Sequence, residues 1–310
     1  MTGKKRSAKE KNHNHRHDLP VNEKNLLIAT LLNLVISIAE FTGGILSNSL
    51  ALLSDALHNL GDTFATFIAY LATLIGKKPA NYRKTFGFKR IEILAALLNA
   101  IILIILCLYL FKEAYERWNQ PEPIHSMVML VVAMIGLLAN LLAVMILHKD
   151  AGKSINVKAA YVHLIGDSLS SVMVIIAGVL IHFFKIYWID PIITVLIGLY
   201  IIKEAFVILM EAVNILMQST PSSLNVRNIR SKVEEIPGIN NIHHLHIWNL
   251  TDQDIHLEAH VELNEDLKLS EIKIIQEKVE QLLRSRFNID HVTLQFEFNA
   301  NHSSELIVQE

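Results

Sequence analysis

A single cysteine, Cys107, lies inside an apolar run of this 310-residue chain, so neither a disulfide framework nor a thiolate zinc site is available. Any metal site must therefore be built from histidine, aspartate and glutamate. Charge is scarce too: charged residues make up 19 % of the chain, the formal net charge is −2, and no Arg/Lys stripe with interleaved aromatics occurs. That balance excludes nucleic acid as a partner. Met1 to His17 is basic and polar with no apolar core directly behind it, which does not read as a cleaved secretory signal.

What the chain has in quantity is apolar residues, 52 % of the total, and they place it among membrane proteins. Six apolar spans are predicted at Leu26 to Leu46, Ala51 to Ile75, Ile91 to Phe111, Met127 to Leu147, Ala159 to Phe184 and Ile189 to Met210. Each approaches the roughly 20 residues that a bilayer demands. The Ser47-Asn48-Ser49 turn leaves the first two helices as antiparallel neighbours. Lysines and arginines gather in the N-terminal tail, in the connection from Lys77 to Arg90 and in the one carrying Lys149, Lys153 and Lys158. By the positive-inside rule both termini are expected in the cytoplasm.

After Thr220-Pro221 the pattern changes to that of a soluble α/β domain. A helix from Ser222 to Glu235 is followed by strands at Asn241 to Leu250 and Asp254 to Leu263, a helix at Leu269 to Phe287, and a strand at His291 to Phe298. The expected architecture is thus a six-helix transmembrane bundle (25–215) with a small cytoplasmic αββαβ domain (216–298). A basic tail (1–24) carrying His13, His15 and His17 and a C-terminal tail (299–310) are expected to be disordered.

Ionisable residues inside the spans carry the functional signal. Each costs roughly 2.5–3.5 kcal/mol at the centre of an inserted helix, so it persists where it faces a polar pathway or binds something. Asp55, His58 and Asp62 share one stripe of the second span, and His163 and Asp167 repeat the His-x-x-x-Asp spacing in the fifth. Two such pairs supply two imidazole nitrogens and two carboxylate oxygens, enough for a closed tetrahedral shell. That donor set suits zinc, cobalt or cadmium better than magnesium or calcium. A metal must displace protons from His58 and His163 to bind, so metal and protons compete for one site, and exposure to alternate membrane faces makes an antiporter. Asp55 is expected to orient a ligand or line the pathway. Asn33, Glu40, Asn99 and Asn140 are expected as packing or pathway groups.

In the soluble domain, alternation places His244 and His246 on one face of a strand and His243 on the other. With His256, His260, His291 and Glu297 they form a candidate surface cluster for cytoplasmic metal. A membrane di-iron enzyme would need histidine boxes after helix ends, and the run from His243 to His246 lies in a strand past the last span. A metal-gated channel or sensor using the same intramembrane site is the other alternative.

Three stretches carry a family resemblance: Ser54-Asp55-Ala56-Leu57-His58-Asn59-Leu60-Gly61-Asp62, Phe86-Gly87-Phe88-Lys89-Arg90-Ile91-Glu92-Ile93-Leu94 and His163-Leu164-Ile165-Gly166-Asp167-Ser168. So do His243-His244-Leu245-His246-Ile247-Trp248 and His291-Val292-Thr293-Leu294-Gln295. With these motifs the chain resembles the cation diffusion facilitator family, in its zinc-transporting branch. The resemblance implies a homodimeric, proton-coupled zinc exporter in the cell membrane, with no enzymatic activity and no cofactor beyond its metal substrate. It implies a transport site of His58, Asp62, His163 and Asp167, and a metallochaperone-like cytoplasmic domain with candidate zinc ligands at His243, His260 and Glu297. Lys273 and Gln295 stand where some members place histidines, and the connection from His148 to Lys158 lacks the long His-rich loop of eukaryotic members. The second departure points to the bacterial side of the family.

Overall fold

A computed structural model describes residues 23–148, 155–299 and 305–307, without the side chains of 23–30 and 155–160. The tail with His13, His15 and His17 and the connection with Lys149 and Lys153 lie outside the described residues. Six long helices come first: α1 (Glu23–Ser47), α2 (Leu50–Gly76), α3 (Ile91–Asn119), α4 (Ser126–His148), α5 (Ile155–Phe184) and α6 (Ile189–Leu216). Then follow α7 (Val226–Glu234), β1 (Ile239–Asn249), β2 (Ile255–Leu263), α8 (Leu269–Phe287) and β3 (His291–Glu297). The order αββαβ is the expected one.

By length and composition four segments are apolar enough to cross a membrane: α3, α4, Tyr161–Phe184 of α5, and α6. The apolar part of α1 among the described side chains, Leu31–Ser47, is shorter. Although α2 is 27 residues long, Asp55, His58, Asn59 and Asp62 dilute its apolar character. The six predicted spans are therefore six helices of unequal character, and the functional residues are what make α2 the exception.

Contacts divide the chain into two units, 1–63 with 106–201 and 64–105 with 202–310. In the first, α4 packs on both α1 and α5. Gly44 backs onto Leu53 and Glu40 bonds Asn59, so α1 and the start of α2 run antiparallel across their short turn. Asn48 makes that turn in the left-handed region, with φ 56°, where asparagine is better tolerated than most residues. Arg117 fixes it by donating to the Asn48 carbonyl at 2.6 Å and to Asn48 Oδ1 at 2.8 Å.

The N-terminus of α2 is buried, so its first N–H groups need acceptors. Asp190, at the start of α6 and 0 % exposed, supplies them. Its Oδ2 accepts from Leu50 N at 2.8 Å, and its Oδ1 from Ala51 N at 3.2 Å and from Ser49 Oγ at 2.5 Å. Ser49 Oγ in turn accepts from Leu52 N at 3.2 Å. A carboxylate at a helix N-terminus also opposes the positive end of the helix dipole. Asp190→Asn is expected to destabilise the detergent-solubilised protein by about 2–3 kcal/mol, because an amide puts a donor where donors already converge. Thermal unfolding checks this; an unchanged midpoint would mean that solvent takes over the cap.

In the second unit, Ile93 and Leu97 of α3 pack against Ala212, Ile215 and Leu216 at the end of α6. The α/β core forms where Ile229 and Val233 of α7 and Ile275, Val279 and Leu283 of α8 meet Ile242, Leu257 and Val261 of the sheet. Asn225 caps α7 by accepting from Arg227 N and Asn228 N, which is why that helix begins later than its predicted start at Ser222. The sheet order is β1-β2-β3, with β1 antiparallel to β2 and β2 parallel to β3. A parallel neighbour needs a crossover, and α8 provides it.

Two expectations for this domain are corrected. The register of β1 against β2 shifts between His243 and His246, with His244 at φ 48°. This bulge interrupts alternation, so His243 and His244 do not take opposite faces: their rings lie 5.5 and 4.8 Å from His260. His256, expected on a solvent-facing surface, is only 7 % exposed, covered by the rings of Phe86, Trp248 and His291 at 5.6, 5.5 and 4.9 Å. Burial, with His291 and Lys89 adding to it, pulls its imidazole below the usual pKa. The C-terminal residues 305–307 depart from the expected disordered tail. Glu305 and Leu306 carbonyls accept from His244 N and Leu245 N at 3.2 and 2.9 Å, N–H groups that the bulge leaves outside the β1–β2 ladder.

Candidate metal centre

The helical period brings His58 and Asp62 to one side of α2, and His163 and Asp167 to one side of α5. These four side chains converge within the first unit. Asp62 Oδ2 lies 3.1 Å from His163 Nε2 and 3.6 Å from His58 Nδ1. Asp167 lies 3.6 Å from His58 Nε2 through Oδ1 and 3.6 Å from His163 Nε2 through Oδ2. The two imidazole rings are 5.8 Å apart, edge to face.

Three of these separations are longer than a hydrogen bond, and the Asp62–His163 contact is within one. Zinc at about 2.0–2.1 Å from nitrogen and oxygen ligands sets neighbouring donors of a tetrahedron about 3.3–3.4 Å apart. The four contacts, at 3.1 to 3.6 Å, are near that length, but Asp62 and Asp167 meet opposite nitrogens of His58, so they are not the edges of one tetrahedron. One donor atom each from His58, His163 and Asp167 falls within a 4.8 Å group. His58 is 4 % exposed, and neither of its ring nitrogens has a hydrogen-bond partner. Buried imidazole without a partner is costly, and a cation coordinated there removes the cost.

Asp55 is held differently. Its carboxylate accepts from the Ser170 hydroxyl through Oδ1 and from Ser171 Oγ at 3.2 Å through Oδ2. Both hydroxyls also lie 2.9 and 3.0 Å from the Asp167 carbonyl, so each shares its single proton between that oxygen and Asp55. Asp55 thus joins α2 to the turn of α5 that positions Asp167. The sequence reading missed these two serines, though their spacing of three and four residues from Asp167 was the available signal. It also missed Tyr200, whose ring stands 6.1 Å from that of His58 and whose hydroxyl comes close to α5 where Gly166 carries no side chain.

In the cytoplasmic-type domain the bulge gathers a second set. His260 Nδ1 lies 2.8 Å and His243 Nε2 3.5 Å from the Glu297 carboxylate, and one donor from each of the three falls within a 4.8 Å group. Asn241 Nδ2 donates to Glu262 at 2.6 Å, which turns Asn241 Oδ1 toward His243 Nδ1 at 2.8 Å. An amide oxygen only accepts, so Nδ1 carries the proton and Nε2 keeps its lone pair for a metal. Burial lowers the His243 pKa against the opposing pull of Glu297, favouring the neutral ligand form. Gln295 donates to Glu297 at 2.7 Å.

Two family domains together cover most of the chain. Residues 26–217 match the cation efflux transmembrane domain, and residues 221–298 match the cation efflux protein cytoplasmic domain. The chain belongs to the cation efflux family. As a cation efflux protein it is a membrane transporter and not an enzyme. It is 39 % identical over 298 residues to a cadmium, cobalt and zinc/H(+)-K(+) antiporter of Bacillus subtilis, covering 95 % of this chain and 96 % of that one. It is 40 % identical over 284 residues to the metal cation efflux system protein CzcD of Cupriavidus metallidurans, covering 91 % and 89 %. It is 34 % identical over 305 residues to the zinc transporter ZitB of Escherichia coli, covering 96 % of both chains.

Proposed function

We propose that this cation efflux protein exports zinc, and with it cadmium or cobalt, from the cytoplasm in exchange for protons. His58, Asp62, His163 and Asp167 hold the metal, and the two histidines take up protons when it leaves. The observation that carries this reading is the convergence of two imidazoles and two carboxylates, with carboxylate-to-imidazole contacts of 3.1 to 3.6 Å, His58 and Asp167 being buried and His163 and Asp62 partly open. Two carboxylates neutralise a divalent ion, and two imidazoles favour a borderline metal over a hard one. The names of the Bacillus subtilis and Escherichia coli relatives agree with this substrate class. The same reading takes the protein as a homodimer in the cell membrane with both termini in the cytoplasm, and His243, His260 and Glu297 as a cytoplasmic zinc site.

Proton coupling has a definite sign. Metal and protons exclude each other at an imidazole, so zinc is released toward the acidic side and captured from the alkaline side. Vesicles containing the purified protein and made acidic inside are expected to accumulate zinc. At equilibrium the gain is about tenfold per pH unit for each net proton exchanged, after any electrical term is clamped. A zinc-sensitive dye inside reads the metal, and a pH dye reads internal alkalinisation as zinc enters. Zinc entry that ignores the pH gradient would overturn the antiporter and leave a metal-gated channel using the same residues.

A further inference from the structure

Within the second unit, the connection from α2 to α3 meets the α/β domain at two points. Lys89 Nζ donates to Asp254 Oδ2 at 2.7 Å, and the Phe86 ring stands 5.6 Å from that of His256. Beside these contacts lies a cavity of about 360 Å³. Lys84, Lys89 and Arg90 line it together with Phe86, Leu94 and Trp248, and no carboxylate among the described residues does so.

The three cations are held in different ways. Asp254 answers Lys89. Lys84 stands over the Phe88 ring, 4.0 Å from its centroid, a contact that engages one side of the ammonium and leaves its charge uncancelled. Arg90 is half-buried, its Nε has no hydrogen-bond partner, and among the described residues no carboxylate pairs with its guanidinium. Glu92, two residues on, turns toward the end of α2, where a Cβ at Gly76 would come 3.4 Å from its Oε1. The positive-inside rule accounts for cations in this connection, but not for their convergence on one concave surface. Like charges around one cavity repel, and water solvates them without cancelling the excess. An anion cancels it.

The walls of the cavity select the kind of anion. Leu94 begins an exposed apolar stripe of α3 that Leu98, Ile101 and Ile105 continue at helical spacing. This stripe belongs to a segment long and apolar enough to cross a bilayer, and the cavity lies at its first turn. A ligand that fills the cavity therefore meets charge at one end and hydrocarbon at the other. Trp248 beside the lysines and arginine matches the residue types that anchor proteins at headgroup level. Arginine grips a phosphate through paired N–H donors, and lysine adds a point charge. A small free anion would leave the apolar wall uncovered; an amphiphile with an anionic head covers it.

We propose that Lys84, Lys89 and Arg90 hold the phosphodiester of an anionic phospholipid whose acyl chains run along Leu94, Leu98 and Ile101 of α3. Trp248, near the end of β1, lines the same cavity, so the bound lipid ties the α/β domain to the bilayer. The site is independent of the transported ion.

The test offers the full-length protein in neutral detergent an equal mixture of phosphatidylglycerol and phosphatidylcholine, and native mass spectrometry counts the lipids that stay bound. The parent protein is expected to retain phosphatidylglycerol preferentially. Arg90→Gln and Lys84→Gln are each expected to lower that preference about fivefold. Lys84 is exposed, so its variant serves if the arginine variant does not fold. Lys77→Gln removes an equal charge from the same connection outside the cavity, and is expected to change the preference by no more than about twofold. Equal retention of the two lipids by the parent protein would overturn the proposal. An unchanged preference in both cavity variants, or an equal drop in all three variants, would overturn the cavity as the site and leave at most a diffuse basic surface. Displacement of phosphatidylglycerol by inorganic phosphate, where chloride at the same ionic strength leaves it bound, would overturn the lipid and leave a small-anion site.

Discussion

Asp167→Ala is expected to abolish metal efflux while leaving the protein folded and inserted. Asp167 is 1 % exposed and stands 3.6 Å from each of the two histidines, so it belongs to every set of donors that closes the site. Even groups that only orient a ligand are worth about 10–100-fold in metal affinity, and loss of a ligand costs at least the upper figure. It also leaves a divalent ion facing one carboxylate instead of two. Folding is spared for a local reason: the hydroxyls of Ser170 and Ser171 bond the backbone carbonyl at this position, which alanine retains. A zinc-sensitive host producing Asp167→Ala at the parent protein's membrane level should be as sensitive as one with no transporter. Normal tolerance in that host would remove Asp167 from the site, whatever the distances say.

The convergence of these four side chains was legible because helices translate sequence into faces. Spacing of three or four residues fixes which side chains share a stripe, so two His-x-x-x-Asp pairs implied two matching half-sites before any packing was known. What spacing does not give is which helices meet. The Ser170 and Ser171 bonds to Asp55 depend on the rotation of α5 against α2, and the capping of α2 by Asp190 joins residues about 140 positions apart. Asp190 was hidden inside a predicted span, where one acidic residue near a helix start raises no alarm.

In the α/β domain the limits were of another kind. Strand alternation correctly placed Leu257, Ala259, Val261 and Leu263 in the core. It failed at His244, because a one-residue bulge reverses the face of every residue beyond it and histidine carries no glycine-like mark of positive φ. That reversal is what places His243 and His244 together beside His260. His256 failed for a different reason: it does lie on the outer face, but Phe86, distant in sequence, covers it.

His58→Asp should shift selectivity from zinc toward manganese, and the argument turns on ligand type and reach. The parent set has two nitrogen and two oxygen donors, a balance that favours borderline metals. With a carboxylate in place of the His58 imidazole the set has one nitrogen and three carboxylates, which is harder and more negative. Zinc loses the donor it prefers, whereas manganese accepts carboxylate readily. Aspartate is also shorter than histidine, so the substitution leaves more room between α2 and α5 where the His58 ring stands, which suits a larger ion with water in its shell. The lost imidazole removes one proton acceptor, so the exchange should become less steep in pH as well. In vesicle assays the ratio of manganese to zinc transport is expected to rise by about tenfold, the equivalent of some 1.4 kcal/mol between the two ions. An unchanged ratio, with transport retained, would mean that geometry outside these four residues sets selectivity.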